Sequence, residues 1–256
     1  MTAAICSVFP ATKEALMTRI LLVRGMLAGV VAGLLVFALA SCIGEPQVER
    51  AIAFETHMDQ AKGEAPEPEI VSRKIQSSLG LLTATLVEGT SLGGIFALLF
   101  AFTYGRMRPT DPRTLSALLA TFGFVVLAIV PAAKYPANPP SVGNPETIGV
   151  RTGAFFLLIA ISVIVMVLAV KLENLLHERF GVWTASFVAV VFFVAVVAAL
   201  SSFLPDFDEV PTGFPVALMW KFRIAAIAMQ MLLWSVLGLF FGWLADKSLR
   251  QKQLHN

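Results

Sequence analysis

Six long runs of this chain carry almost no charge, and they constrain its fold more than any other feature. Glu88 is the only charged residue within these runs, which cover residues 25–44, 75–105, 114–133, 152–170, 180–205 and 224–245. Each run is close to or above the roughly 20 residues that an α-helix needs to cross about 30 Å of hydrocarbon. Only 14% of the residues are charged, whereas a soluble domain carries about 25%. The sequence therefore predicts an all-α, polytopic transmembrane helical bundle of six spans.

The predicted spans leave no room for a separate soluble domain. The longest hydrophilic stretch, residues 45–74, is too short for an ordinary hydrophobic core. We predict a single transmembrane domain over residues 19–245 and a cytoplasmic tail at 246–256. Residues 1–18 form a cytoplasmic amino-terminal segment, or an upstream extension if Met17 is the true start. The six spans lie at about 20–43, 79–104, 114–133, 152–171, 183–204 and 223–245.

The first span has two interpretations. It ends in Leu-Ala-Ser-Cys at residues 39–42, which fits a bacterial lipoprotein cleavage site, and cleavage before Cys42 would leave five spans. However, Gly25, Gly29 and Gly33 repeat every four residues and form one small-residue face, as helices that pack closely in membranes do. The glycine face favours a retained helix. Similar ladders at Gly89 and Gly93, and in the last span, predict three closely packed helices.

The distribution of basic residues predicts the orientation. Of the 19 Lys and Arg residues, 11 fall on one side of the six spans and eight on the other. The positive-inside rule places the richer side, with both termini, in the cytoplasm. The stretches 45–74, 134–140 and 205–215 then face outward, and they contain most of the acidic residues.

Glu88 would lie near the bilayer midplane. A charge there costs about 3 kcal/mol or more unless it is paired or neutralised. Thr85 and Ser91 lie three residues away on either side, which predicts a polar stripe facing the bundle interior. Two hypotheses are about equally strong: a cation or proton site, and a structural Glu that is hydrogen-bonded or paired with Lys221 or Arg223.

Two outward stretches offer candidate metal ligands. Glu55, His57 and Asp59 supply carboxylate and imidazole donors that Co²⁺ and Ni²⁺ accept. Asp206, Asp208 and Glu209 crowd another stretch and would concentrate cations electrostatically. Short acidic loops are common, so a solvated loop is the simpler interpretation of both stretches.

Motifs for other functions are missing from the sequence. It contains no phosphate-binding G-x-x-x-x-G-K-[ST] loop, no His-x-x-x-His or Cys-x-x-Cys pair and no recognisable nucleophile motif. We therefore predict that the chain is not an enzyme, needs no cofactor and binds no nucleic acid. Its expected surroundings are the lipid bilayer, and a homo-oligomer is left open.

Three prolines interrupt the chain at the end of the third run. Residues 134–140 read Lys-Tyr-Pro-Ala-Asn-Pro-Pro, and we call them the proline segment. Pro136, Pro139 and Pro140 prevent helix continuation and bias Tyr135 and Asn138 towards extended backbone. The segment is thus a rigid structural element, and Lys134 lies where amphipathic side chains meet the membrane surface. Asn144 followed by Pro145 predicts the capped start of the next helix.

The stretch 134–152 resembles the CbtA family of probable cobalt transporter subunits. The basic, glycine-rich start from Met17 to Gly29 is similar to that family as well, and the resemblance covers about residues 17–245. The family is usually assigned five spans, one fewer than the six counted here.

The resemblance implies cobalt uptake across the bacterial inner membrane for cobalamin synthesis, with Co²⁺ as the transported ion. It also implies a small single-span, histidine-bearing partner (CbtB-like). Two alternatives stay open: a non-transporting membrane scaffold, and a permease subunit for another small solute such as Ni²⁺.

Overall fold

The computed structural model describes residues 10–63, 70–107 and 111–254, with side chains from residue 16 to residue 250. These residues form helices and loops without any β-strand, which confirms the all-α prediction. Six spans are not confirmed, because five helical stretches are long and apolar enough to cross a membrane. They are Leu16–Lys62, Arg73–Thr103, Pro112–Lys134, Pro145–Ser201 and Val216–Arg250.

The helices follow one another in chain order with short π-helical turns between some of them. The α-helices are α1 (Pro10–Leu39), α2 (Glu45–Lys62), α3 (Arg73–Ile75), α4 (Leu81–Thr103), α5 (Pro112–Phe124), α6 (Val130–Lys134), α7 (Ile148–Ser201), α8 (Val216–Val236) and α9 (Gly242–Leu254). The π-helical turns are Ala40–Gly44, Gln76–Gly80, Val125–Ile129 and Leu237–Phe241, and a 3₁₀ turn at Pro145–Thr147 precedes α7.

The first helix does not end where the apolar run ends. The prediction of a loop from residue 45 is wrong over α2, because the chain continues as a helix through the π turn Ala40–Gly44. Residues 47–62 contain no Gly or Pro, and Pro46 lies in the first turn of α2, where proline is tolerated. The helix stops at Gly63, whose φ of 76° closes it. The stretch 64–69, which is acidic and rich in proline and which we expect to be an extended, solvated linker, lies outside the described residues.

The chain divides into two compact units. The first unit comprises residues 1–42, 69–121 and 229–256, and the second comprises 43–68 and 122–228.

In the first unit, α1 and α4 pack backbone to backbone. A Cβ added at Gly25, Gly29 or Gly33 would lie less than 3.0 Å from a backbone atom of α4, and the same holds for Gly89 and Gly93 against α1. Only glycine allows helices this close, so the small-residue prediction is confirmed for this pair.

The last helix joins the same unit through aromatic and small side chains. The Phe96 ring of α4 meets the rings of Trp234 and Phe241 edge to face. The glycines of the last helix contact α5, a fourth helix: a Cβ at Gly238 would lie 2.7 Å from the Ala120 Cβ. The buried Ser116 hydroxyl of α5 donates a 2.8 Å hydrogen bond to the Gly238 carbonyl, in a π turn.

In the second unit, α7 reverses direction at Gly181. Its φ of 77° and ψ of 167° are not helical. Val165 and Ala169 before it share one buried cluster with Phe193 and Val197 after it. In a straight helix Val165 and Val197 would be about 48 Å apart, at 1.5 Å per residue. The 54-residue helix is therefore a hairpin of two arms.

Candidate functional site

The proline segment ends α6 and is held by side-chain contacts. The helix stops at Lys134, and Tyr135 leaves helical conformation with φ −125° and ψ 74°. The Lys134 ammonium forms an ion pair with Asp206. The Tyr135 hydroxyl donates a 2.8 Å hydrogen bond to the Pro205 carbonyl, and burial raises the pKa of that phenol. The segment is thus fastened to the loop after α7.

Further along, the segment meets the start of α8. The Arg223 guanidinium donates a 3.1 Å hydrogen bond to the Asn138 side-chain oxygen, and Pro139 is fully buried. One structural hypothesis for Glu88 needed Arg223 as its partner, but Arg223 is engaged here with Asn138. The prolines and Asn138 act as structural contacts in this arrangement.

Glu209 joins the loop after α7 to the start of the α7 helix. Its carboxylate accepts hydrogen bonds from the Thr147 hydroxyl at 2.6 Å and the Asn144 amide at 2.7 Å, and lies 3.4 Å from the Arg151 guanidinium. The Thr147 and Asn144 hydrogen bonds, with Arg151 nearby, lower the pKa of Glu209. The Asn144 side chain also accepts from the Glu146 amide, which confirms the predicted helix cap.

The candidate metal ligands do not converge. Glu55 and Asp59 lie one turn apart on α2, and His57, about 200° round the helix from Glu55, is exposed. Asp206 is paired with Lys134, and Asp208 is exposed. Among the described residues, no group of three or more His, Cys, Asp and Glu side chains is arranged to hold a metal ion.

Glu88 is exposed, so the prediction that it faces the bundle interior is wrong for this chain by itself. The neighbouring Gly89 faces α1, and Glu88 lies about 100° further round the helix. Thr85 is buried against α1, whereas Ser91 is exposed. The carboxylate accepts a 3.3 Å hydrogen bond from the Gln230 amide of α8.

In the first unit, a polar cluster lies at the start of α5 and in α9. Asp246 is 2% exposed, and its two carboxylate oxygens accept from the Nε atoms of Arg113 at 2.8 Å and Arg250 at 2.7 Å. The Arg24 guanidinium donates to the Leu244 carbonyl. These contacts tie α1, α5 and α9 together where α9 leaves the apolar run.

Sequence reasoning found some of these residues and missed others. It brought out Lys134, Tyr135, Asn138 and Asp206, which the fold places together. It missed Glu209 and Gln230 as contact residues. Gln230 had a signal, because it is the only amide side chain in the uncharged run 224–245. Glu209 was predicted only as one of three acids that attract cations, and no signal gave its contacts, since its partners lie 58 to 65 residues earlier in the chain.

The long apolar helices, the glycine seam and the polar clusters at helix ends define a multi-pass helical membrane protein. The chain belongs to the CbtA family, whose model, described as probable cobalt transporter subunit, matches residues 18–246. No curated protein and no solved structure matches the chain.

Proposed function

We propose that this chain is the membrane-embedded subunit of a cobalt uptake system in the bacterial cytoplasmic membrane, and that the imported Co²⁺ supplies cobalamin synthesis. The observation that carries the proposal is the family match over residues 18–246, nearly the whole chain. The five long apolar helices are consistent with it. Co²⁺ is the cargo here and not a resident cofactor.

The proposed orientation has six spans with both termini in the cytoplasm. Each arm of the α7 hairpin is long enough to cross the bilayer, since residues 148–180 and 182–201 span about 50 Å and 30 Å. The glycine contacts of α1 with α4 support a first span that is retained and not cleaved. A reporter-fusion map tests this topology. A reporter in the loop between α4 and α5 must report the cytoplasm, and an outside signal there would overturn the orientation.

In the proposed path, acidic residues near α2 and the loop after α7 attract the cation, and Glu88 is the charge that it meets within the membrane. The proline segment acts as a fixed outer element, because its polar side chains contact other residues of this chain. A small single-span, histidine-bearing subunit supplies imidazole ligands. Imidazole and carboxylate donors together suit Co²⁺.

Uptake of radioactive cobalt into proteoliposomes tests the function. Three preparations are compared: the chain alone, the chain with the CbtB-like partner, and the partner alone. We expect accumulation with both proteins and less with either one. Excess unlabelled Co²⁺ should compete better than Ni²⁺. Equal competition would identify a less selective permease, and a stable complex that moves no cobalt would identify a scaffold.

A further inference from the structure

We propose that the exposed face of α4 around Glu88 is the intramembrane docking point for another transmembrane helix, one that carries a basic or imidazole side chain near its middle. The inference deepens the proposed function and rests on it only for the identity of the natural partner.

Glu88 occupies the centre of its span. It is the middle residue of the helix Arg73–Thr103, which has 31 residues. At 1.5 Å per residue it lies about 22 Å from either end of that helix. The side chain is exposed, and Gln230 provides its only hydrogen bond within the described residues. A carboxylate has acceptor positions for several donors, so most of its capacity is unused.

The surrounding residues of α4 suit close contact with another transmembrane helix. Ala84, Glu88, Ser91 and Ile95 lie on one side of α4 at steps of four, three and four residues, and all are exposed. The small side chains of Ala84 and Ser91 flank the carboxylate, and Val87 and Ile95 beside them are 61% and 62% exposed. Small residues around a polar group are how transmembrane helices approach closely and hydrogen-bond.

The occupant must differ from this chain. A carboxylate at this depth needs a donor or a cation at the same depth. The uncharged runs of this chain contain no Lys, Arg or His, so a second copy could not bring a basic or imidazole side chain to the midplane. Two copies meeting at this face would instead bring two carboxylates together. Charge complementarity therefore points to a different subunit with a central basic or imidazole group.

A defined probe tests the docking point independently of the natural partner. The full-length chain is reconstituted in liposomes with a labelled polyleucine transmembrane peptide that carries one central His, or with the all-Leu version. Energy transfer between labels reports association. We expect the His peptide to bind the wild-type chain at least about fivefold more tightly than the all-Leu peptide.

The variants are Glu88→Leu and, as the matched control, Thr83→Leu. Thr83 is also exposed on α4, but it lies about 140° round the helix from Glu88, and its hydroxyl donates a hydrogen bond to the Leu79 carbonyl one turn earlier. Glu88→Leu should abolish the preference for the His peptide, and Thr83→Leu should keep it. Glu88→Leu removes a charge from the apolar region, so its thermal unfolding temperature should not fall.

The same variants are then compared with the CbtB-like partner. Loss of its binding in Glu88→Leu but not in Thr83→Leu supports the docking point for the natural subunit. If Glu88→Leu binds the His peptide as tightly as the wild type does, the docking point is refuted. If the His peptide binds through Glu88 but the CbtB-like partner binds no variant, the docking point stands and the partner named under the proposed function is wrong.

Discussion

The α1–α4 seam and the α7 hairpin solve the same problem in different ways. Both bring two long apolar helices together where burial from water gives no driving force, since lipid is as apolar as the side chains. The seam uses Gly25, Gly29 and Gly33 to place backbone against backbone. The hairpin uses interlocking Val, Ala and Phe side chains and a single turning residue, Gly181. The first arrangement tolerates no added atom along its length, whereas the second depends on one position.

The largest effect should come from placing a bulky side chain in the seam. Gly29→Leu puts its Cβ closer than 3.0 Å to the Gly89 backbone, so the helices must separate. Backbone cannot yield as a side chain can, and we expect a loss of about 3 kcal/mol or more, at the upper end of overpacking costs. The thermal unfolding temperature in detergent and cross-linking between cysteines placed on α1 and α4 both measure it.

Gly153→Leu is the matched control, because a Cβ at Gly153 meets nothing within 4 Å. It should leave the unfolding temperature nearly unchanged. Equal destabilisation by both substitutions would mean that α1 and α4 are not in backbone contact.

A somewhat smaller effect should follow from Gly181→Ala in the hairpin. The φ of 77° and ψ of 167° lie in a region that is essentially restricted to glycine, and a Cβ there costs about 1–3 kcal/mol. The strain opposes the reversal, so the two arms should separate. Loss of a disulfide between cysteines at Val165 and Val197 would report it.

Gly149→Ala controls for the loss of a glycine, since Gly149 is helical and has open space around it. Alanine favours a helix over glycine, so this change should be neutral or slightly stabilising. A hairpin that forms equally well in Gly181→Ala would show that the side-chain cluster, and not the turn, sets the reversal.

The two regions also differ in how far sequence predicts them. The four-residue spacing of glycines has one common structural meaning in an apolar helix, so the seam was readable. Lys171 and Arg179 separate two apolar runs, so a reversal between two spans was predictable. The spacing did not show that both arms stay helical as far as Gly181, which alone makes the turn. Nor could spacing show that α2 continues α1, because Pro46 is compatible with a break or with a first helical turn, and the hydrophilic residues after it can form a loop or a helix.

The polar contacts were harder to foresee for a geometric reason. A carboxylate such as Glu88 is conspicuous in the sequence because a charge is costly in the membrane. The direction in which it points cannot be inferred in the same way, because successive residues of a helix are rotated by about 100°. Its orientation followed from Gly89, which has to face α1. Partners such as Gln230 and Glu209 join segments far apart in the chain, and no local pattern specifies such pairs.

A third and smaller effect compares one serine from each unit. Ser116 donates to the Gly238 carbonyl in the first unit, and Ser162 donates to the Val126 carbonyl in the second, both at 2.8 Å and both into π turns. A π turn leaves carbonyls that need an outside donor. Each Ser→Ala change should cost about 0.6 to 1.7 kcal/mol in unfolding measured in detergent or bilayers.

Ser201→Ala is the control, because its hydroxyl bonds only the carbonyl three residues earlier on an exposed surface. It should change stability less than either buried serine. If Ser116→Ala and Ser162→Ala also match the wild type, the cross-helix hydrogen bonds do not hold the π turns.

The smallest effect is the loss of stability at low pH. It should arise in the loop after α7 and not in the contacts between membrane-embedded helices. The Thr147 hydroxyl and the Asn144 amide hold the pKa of Glu209 below its ordinary value of 4.5, so its contribution to stability is present above that value. The contribution is lost as pH falls through the lowered pKa, because protonation removes the charge that these donors stabilise. The unfolding temperature of the wild-type protein should therefore fall between about pH 5 and 3.

The unfolding temperature of Glu209→Gln should be lower at neutral pH and should fall less over that range. Asp208→Asn, at an exposed carboxylate of the same loop, should keep the wild-type slope. Parallel curves for wild type and Glu209→Gln would show that the Glu209 contacts do not stabilise the fold.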